Sequence, residues 1–156
     1  MGIEIERKFL VTSTSFKADA YQKKHIKQGF LNSDKNRIVR VRVYGNDGYL
    51  TIKGPSNTSG TSRYEWEQKI PVKEALRLLD LCEEGVIEKE RYLVCIGEHT
   101  YEIDVFLGDN EDLIVAEVEL SEENEKFLRP SWLGVEVTGI SKYYNSNLSK
   151  RPFKQW

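Results

Sequence analysis

The chain has 156 residues, of which 31% are charged, with 23 Lys and Arg against 25 Asp and Glu for a formal net charge of −2. That length favours one domain with one sizeable core, spanning residues 1–156, and the near-neutral total argues against a nucleic-acid or membrane partner. The charge is unevenly spread: residues 1–70 carry 13 basic and 7 acidic side chains, whereas residues 71–156 carry 10 and 18.

In chain order, the first element is the run from Ile3 to Val11. Charges and hydrophobes alternate there with the period of a half-buried strand, so Glu4, Glu6 and Lys8 share one face and Ile3, Ile5, Phe9 and Val11 share the other. The two glutamates fall roughly 7 Å apart along such a strand. Further strands are predicted over 27–32, 37–44, 48–53, 62–70, 86–96, 100–106, 113–120 and 134–138. A helix is predicted over 72–82, where Val72, Ala75, Leu76, Leu79 and Cys82 recur at helical spacing between Pro71 and Gly85. Another is predicted over 122–128, with Ser121 as N-cap and Glu122 and Glu123 in the first turn. Segments 13–25 and 141–149 are also read as helical. Asn46-Asp47-Gly48 signals a hairpin, and the loose stretch 54–62 reads as a loop joining two strands. Many strands with few helices make the chain α+β, built on an antiparallel sheet or barrel.

The charged face of the first strand recurs. Arg40 and Arg42 lie opposite Val39, Val41 and Val43; Thr51 and Lys53 opposite Leu50 and Ile52; Arg63, Glu65, Glu67 and Lys69 opposite Tyr64, Trp66 and Ile70. Lys89 and Arg91 lie opposite Tyr92 and Val94; Glu102 and Asp104 opposite Ile103 and Val105; Glu117 and Glu119 opposite Ala116, Val118 and Leu120; Glu136 and Thr138 opposite Val135 and Val137. An open sheet does this by facing water. A closed barrel does it inside out, with charges lining a tunnel and hydrophobes packing outward. Arginine dominates the cations, which suits multidentate recognition of phosphate oxygens. If the strands bearing Glu4/Glu6 and Glu117/Glu119 are neighbours, four carboxylates gather at spacings of about 5 Å. Each like-charge contact then costs on the order of 3 kcal/mol at an effective dielectric near 20, so basic neighbours or bound cations must offset it. Oxygen-only donors suit Mg²⁺ or Mn²⁺ and not Zn²⁺.

This ordered set resembles the CYTH family, also called triphosphate tunnel metalloenzymes, in its short bacterial branch. The likeness rests on Glu4-x-Glu6-x-Lys8, Gln28-Gly29-Phe30-Leu31, Arg40-Val41-Arg42, Lys53, Arg63-x-Glu65-x-Glu67, Glu88-Lys89-x-Arg91-Tyr92, Glu102-Ile103-Asp104-Val105-Phe106, Glu117-Val118-Glu119, Glu136-Val137-Thr138 and Lys142-Tyr143-Tyr144-Asn145. It implies an α+β fold whose eight antiparallel strands close into a charged tunnel, with the helices packed outside. It also implies metal-dependent chemistry, with Mg²⁺ or Mn²⁺, on a small anionic triphosphate. Carried over by position, Glu4, Glu6, Asp104, Glu117 and Glu119 match the metal-binding acids. Lys8, Arg40, Arg42, Lys53, Lys89 and Arg91 match the phosphate-holding cations, with Arg63 and Lys142 beside them. The family often has Gln-Gly-Tyr where this chain has Phe30, so no hydroxyl is carried over there.

The leading expectation is hydrolysis of a terminal phosphoanhydride of inorganic triphosphate. Lys8 and Arg91 would stabilise charge on the transferred group, and Glu4 or Glu117 would orient water. Rival readings are nucleoside or thiamine triphosphate hydrolysis, adenylate cyclisation, and a non-catalytic polyphosphate-binding module. Cys82 and Cys95 read as free thiols in a reducing compartment. The N-terminus lacks a signal-peptide pattern and no run of 18 apolar residues exists, so cytoplasmic residence is expected. His25 and His99 are isolated and read as non-ligands. Trp66, Trp132 and Trp156 read as packing residues, and Glu122, Glu123 and Glu125 as the start of a helix.

Overall fold

Strands that alternate in polarity favour burying one face, and the chain forms nine strands. A computed structural model of the chain describes residues 2–156. Its strands are β1 (Gly2–Val11), β2 (Gln22–Asn32), β3 (Ile38–Tyr44), β4 (Asp47–Ser56), β5 (Ser62–Ile70), β6 (Ile87–Ile96), β7 (His99–Phe106), β8 (Ile114–Glu119) and β9 (Leu133–Glu136). Three short helices, α1 (Phe16–Asp19), α2 (Val72–Leu79) and α3 (Asn145–Lys150), complete it with three 3₁₀ turns.

All strand pairings are antiparallel, in the order β5-β4-β3-β2-β6-β7-β8-β1, and β1 also pairs with β5. Eight strands therefore close into a barrel. β1 meets β5 only through Gly2–Ile5. Further along, β9 takes over beside β1 at Phe9 and Val11. The Val137 N–H then donates to the Lys8 carbonyl at 2.8 Å. The ninth strand is thus a patch where two staves diverge, and it satisfies backbone groups that would otherwise be orphaned.

The barrel is inside out. Phe9, Tyr101, Ile103, Ala116 and Val118 are fully buried on its outer surface, beneath Phe16 of α1 and Trp132. Phe16 meets Tyr92 and Trp132 edge-on at 5.4 and 5.8 Å. On another side, Ala75 and Leu79 of α2 pack on Val41 of β3. The inward faces are charged for most of their length and apolar at one end. There Phe30, Ile38, Phe106 and Val115 meet Leu148 of α3.

Several boundaries differ from the sequence reading. Residues 13–25 hold only the one-turn α1, because Gln22 to His25 join β2 and pair with Leu93 to Glu90 of β6. Partner strand outweighs helix propensity there. Residues 122–128 form no helix. The Glu125 carboxylate accepts the Ser121 N–H at 2.6 Å, and Glu123 is taken up by the β4–β5 loop. The 141–149 segment begins as a 3₁₀ turn and becomes helical at Asn145, and α2 stops at Leu79. In the β3–β4 hairpin Tyr44 faces Asp47, which leaves Gly45-Asn46 as the turn, with Gly45 at φ 61°. A two-residue turn of this hand takes glycine in first place. Among the described residues no helix is long and apolar enough to cross a membrane.

The outer shell carries the stability. Phe9→Ala is expected to cost about 3–5 kcal/mol in chemical denaturation. A loss within the scatter of surface substitutions would mean that the outer face of β1 is not core.

Candidate active site

Closure turns seven cations and seven carboxylates into one chamber of about 200 Å³. The cations are Lys8, Arg40, Arg42, Lys53, Arg63, Lys89 and Arg91; the acids are Glu4, Glu6, Glu65, Glu67, Glu102, Glu117 and Glu119. The pairing of β1 with β8 places Lys8 opposite Glu117 and Glu6 opposite Glu119, so the two acidic pairs are indeed neighbours. Phe30, Ile38, Tyr144, Asn145 and Ser146 complete the lining.

Most of these charges neutralise one another. Lys53 Nζ donates to both Glu4 oxygens at 3.0 and 3.3 Å and lies 3.4 Å from Glu65. Arg40 and Arg42 reach Glu67 at 3.6 and 3.5 Å, and Thr51 donates to the same carboxylate at 2.7 Å. Arg63 lies 3.7 Å from Glu4. The tightest group is Asp104, which receives Arg91 in a fork at 2.7 and 2.9 Å and Lys89 at 2.7 Å. A bidentate guanidinium contact of this kind is both strong and orienting.

Among the described residues, Lys8 is the one chamber cation with no carboxylate within 4.0 Å. Its ammonium donates to the Tyr143 carbonyl at 3.4 Å and sits 5.3 Å from the centre of the Tyr144 ring. Arg40 and Arg42 each keep a buried Nε–H without a partner. An ammonium without an ion pair suits an incoming anion.

The acids are held in unequal states. Burial pushes the Glu6 carboxyl well above its ordinary value, and the Glu117 and Glu4 charges push it further. Glu117 is buried as well, yet Lys8, the neighbouring Glu6 carboxyl and Arg91 hold it well below the carboxylate range. Burial and neighbouring charge thus push the two acids in opposite directions, Glu6 up and Glu117 down. Burial also raises Glu119, helped by Glu102 and Glu4. For Asp104, burial acts upward but Arg91 and Lys89 outweigh it and bring it to about 2. Burial lowers Lys89 to about 8, against the pull of Asp104.

Of the residues picked from the sequence, the chamber gathers Lys8, Arg40, Arg42, Lys53, Arg63, Lys89, Arg91, Glu4, Glu6, Glu117 and Glu119. Asp104 lies behind the wall, with both oxygens occupied by Arg91 and Lys89. Lys142 lies outside, exposed, with its ammonium 4.3 Å from the centre of the Trp156 ring. Glu65, Glu67 and Glu102 were legible as charged strand positions but were not picked. Asn145 was quoted only as part of a motif, and its Oδ1 accepts from Lys89 at 3.0 Å and from Gln28 at 2.9 Å. No strand pattern signals it, because it arrives on α3.

Two outcomes follow from these ionisations. Removing Asp104 leaves Lys89 and Arg91 buried without their main partner, so Asp104→Asn should cost about 3–5 kcal/mol at pH 7. Asp104 is more acidic when folded, so its contribution is present above its ordinary value of 3.8 and is lost as pH falls through about 2. Denaturation midpoints of variant and wild type should therefore converge over that window. Glu6 is the opposite case: its folded pKa is raised, so its contribution is greatest in acid and declines as pH rises through the folded value. Metal-free Glu6→Gln should melt higher than wild type at pH 8, with the gap closing at pH 4. An equal gap at both would mean that Glu6 is not the strained acid.

Comparison with known proteins agrees with this geometry. The CYTH domain model matches residues 2–152. Over its whole length the chain is 49% identical to an inorganic triphosphatase of Acetivibrio thermocellus, covering 99% of that protein. It is 34% identical to an inorganic triphosphatase of Nitrosomonas europaea, over 94% of this chain and 96% of the relative. The crystal structure of the inorganic triphosphatase NE1496 superposes with a TM-score of 0.66 at 32% identity, covering 94% of this chain and 93% of that one. With an eight-stranded charged barrel and a family model that matches nearly every residue, the chain belongs to the CYTH domain family.

Proposed function

We propose that the protein hydrolyses inorganic triphosphate, with Mg²⁺ or Mn²⁺, inside the barrel. The observation that carries this reading is the chamber itself, with seven cations and seven carboxylates around about 200 Å³. Inorganic triphosphatases are also the curated relatives that match along the full chain. A binding module for polyanions would need the cations but not a wall of acids that raise one another's pKa.

The acids fit a hard divalent ion. Glu4, Glu6, Glu117 and Glu119 offer only oxygen, and the repulsion among them that raises Glu6 is what such an ion would relieve. Among the described residues no three acidic, histidine or cysteine side chains already converge on one point as a closed metal set. A Mg²⁺ ion commonly takes one or two carboxylates and completes its shell with substrate phosphates and water. When bound, the ion neutralises phosphate oxygens and polarises the attacking water.

The chain's own residues do the rest. Arg40, Arg42, Lys53 and Arg63 trade their carboxylate partners for phosphate oxygens, which holds the chain of phosphates along the barrel. Arg91, fixed in orientation by Asp104, and Lys8, free of an ion pair, stand where they can meet charge on the transferred group. The transition state of phosphoryl transfer is loose, so water needs alignment more than deprotonation. Glu4, whose burial is outweighed by Lys53 so that it stays a carboxylate, is suited to orient that water. Glu117 is held too acidic to act as a strong base. Asp104 acts through the cations it positions.

The size of the chamber favours the inorganic substrate over nucleoside or thiamine triphosphates. About 200 Å³ lies below the usual range of pockets for drug-sized ligands. Its lining is charged or polar apart from Phe30, Ile38 and Tyr144.

Purified protein with Mg²⁺ or Mn²⁺ should release phosphate from inorganic triphosphate, and a chelator should stop it. Turnover on ATP and thiamine triphosphate should be lower by about tenfold or more, the scale of a 1.4 kcal/mol difference. Cyclic AMP should be absent from the products. Lys8→Met should lower kcat by about 10²–10³-fold while the melting temperature holds. Absence of phosphate release from every triphosphate would overturn the hydrolase reading, and preferred turnover of a nucleoside triphosphate would overturn the choice of substrate.

A further inference from the structure

Next to the chamber, and sharing Glu4, Glu6, Lys8, Arg63 and Tyr144 with it, lies a narrow passage of about 20 Å³. Two pieces of backbone pinch it: the β4–β5 loop at Gly60 and Thr61, and the turn at Thr138 and Gly139. A Cβ added to Gly60 would come within 2.4 Å of the Gly139 Cα, and one added to Gly139 within 2.9 Å of the Ser59 carbonyl oxygen. Both glycines have positive φ, 79° and 76°. The loop and the turn are thus in bare backbone contact, with the Tyr144 hydroxyl beside them.

The loop is fastened at that position from two sides. Inside, the Thr61 carbonyl accepts the backbone N–H of Glu6 at 3.0 Å. Outside, a single carboxylate from the segment after β8 gathers the loop's polar side chains. Glu123 Oε1 accepts from Asn57 Nδ2 at 3.2 Å, from Ser59 Oγ at 2.9 Å and from the Thr61 hydroxyl. Asn57 in turn holds the loop's shape, its Oδ1 accepting the Ser62 N–H at 3.0 Å. Three donors from one loop on one acceptor oxygen form a latch, and Glu123 itself does not line the chamber.

We infer that the Glu123-latched loop is the end stop of the phosphate-binding barrel. It sets chain-length specificity by closing the passage through which a fourth phosphate would extend. The inference rests on the triphosphatase reading of the chamber. A chain held by the cations at Lys8 and Arg63 abuts the Gly60–Gly139 contact, so a longer polyphosphate enters only when the loop lifts. Glu123 is a positioning residue and does not touch substrate.

The test compares wild type, Glu123→Ala and Glu123→Gln on inorganic triphosphate and tetraphosphate, measuring kcat and KM for each. Metal-free binding of both anions by calorimetry is measured alongside. Glu123→Ala should keep triphosphate kcat within about twofold of wild type. Its ratio of tetraphosphate to triphosphate kcat/KM should rise by about tenfold or more, a change of about 1.4 kcal/mol in selectivity. Most of that change should come from a lower KM for tetraphosphate. Glu123→Gln retains an acceptor oxygen for the three donors and should keep the wild-type ratio. An unchanged ratio in a folded Glu123→Ala protein overturns the end stop, as does an equal rise in Glu123→Gln. If wild type turns over neither anion but Glu123→Ala gains calorimetric affinity for tetraphosphate alone, the end stop stands and the hydrolase reading falls.

Discussion

Fourteen ionisable side chains face a chamber of about 200 Å³, and the cost of keeping them there governs the molecule. A charge taken out of water must be paired or it loses its ionisation. Both results are present. Asp104 is clasped by Arg91 and Lys89, and Glu4 by Lys53 and Arg63. Glu6, which faces two other acids, has its carboxyl pushed well above its ordinary value. Since the interior does not supply the driving force for folding, the hydrophobic core moves outside. Phe9, Tyr101 and Ile103 pack beneath Phe16 and Trp132 on the outer face of the same strands that carry the charges inward.

The same constraint explains why the site is poised. A cavity of paired charges exchanges partners when a polyanion and a hard cation enter: cations turn to phosphate, carboxylates to metal. The arrangement is preorganised, in that the donors are already desolvated and aimed. Arg91 keeps the fork to Asp104, a partner outside the chamber, so its orientation does not depend on what the chamber holds. Lys8, in the chamber lining without an ion pair, remains available from the start. The strain at Glu6 is the local price of that readiness.

The barrel's ends are treated differently from its middle. At one end the inward positions become apolar, with Phe30, Ile38 and Phe106 meeting Leu148 of α3. The C-terminal segment also brings Tyr144 and Asn145 to the chamber wall, where Asn145 bridges Lys89 and Gln28. Backbone contact between Gly60 and Gly139 narrows what is left. Local loops thus shape a site whose charges come from the strands.

The sequence by itself determined which residues face which way. Alternation along 3–11, 37–44, 62–70, 86–96, 100–106 and 113–120 set the charged and apolar faces, because side chains on a strand point to opposite sides with period two. All fourteen charged residues of the chamber were legible from that period, and eleven of them were picked as site residues with the family likeness. Tertiary structure decided the rest. Whether the charged face met water or a lumen depended on β1 pairing with β5 as well as β8, a long-range hydrogen-bonding choice that leaves no mark in either strand. It also made strand of Gln22 to His25 through β6, and left 122–128 without a helix by giving Glu123 and Glu125 partners elsewhere. Asp104 carries the same alternation signal as Glu102, yet Arg91 and Lys89 close over it while Glu102 lines the chamber. Period fixes a side chain's face; the depth at which it sits, and the partner it finds, depend on strands distant in the chain.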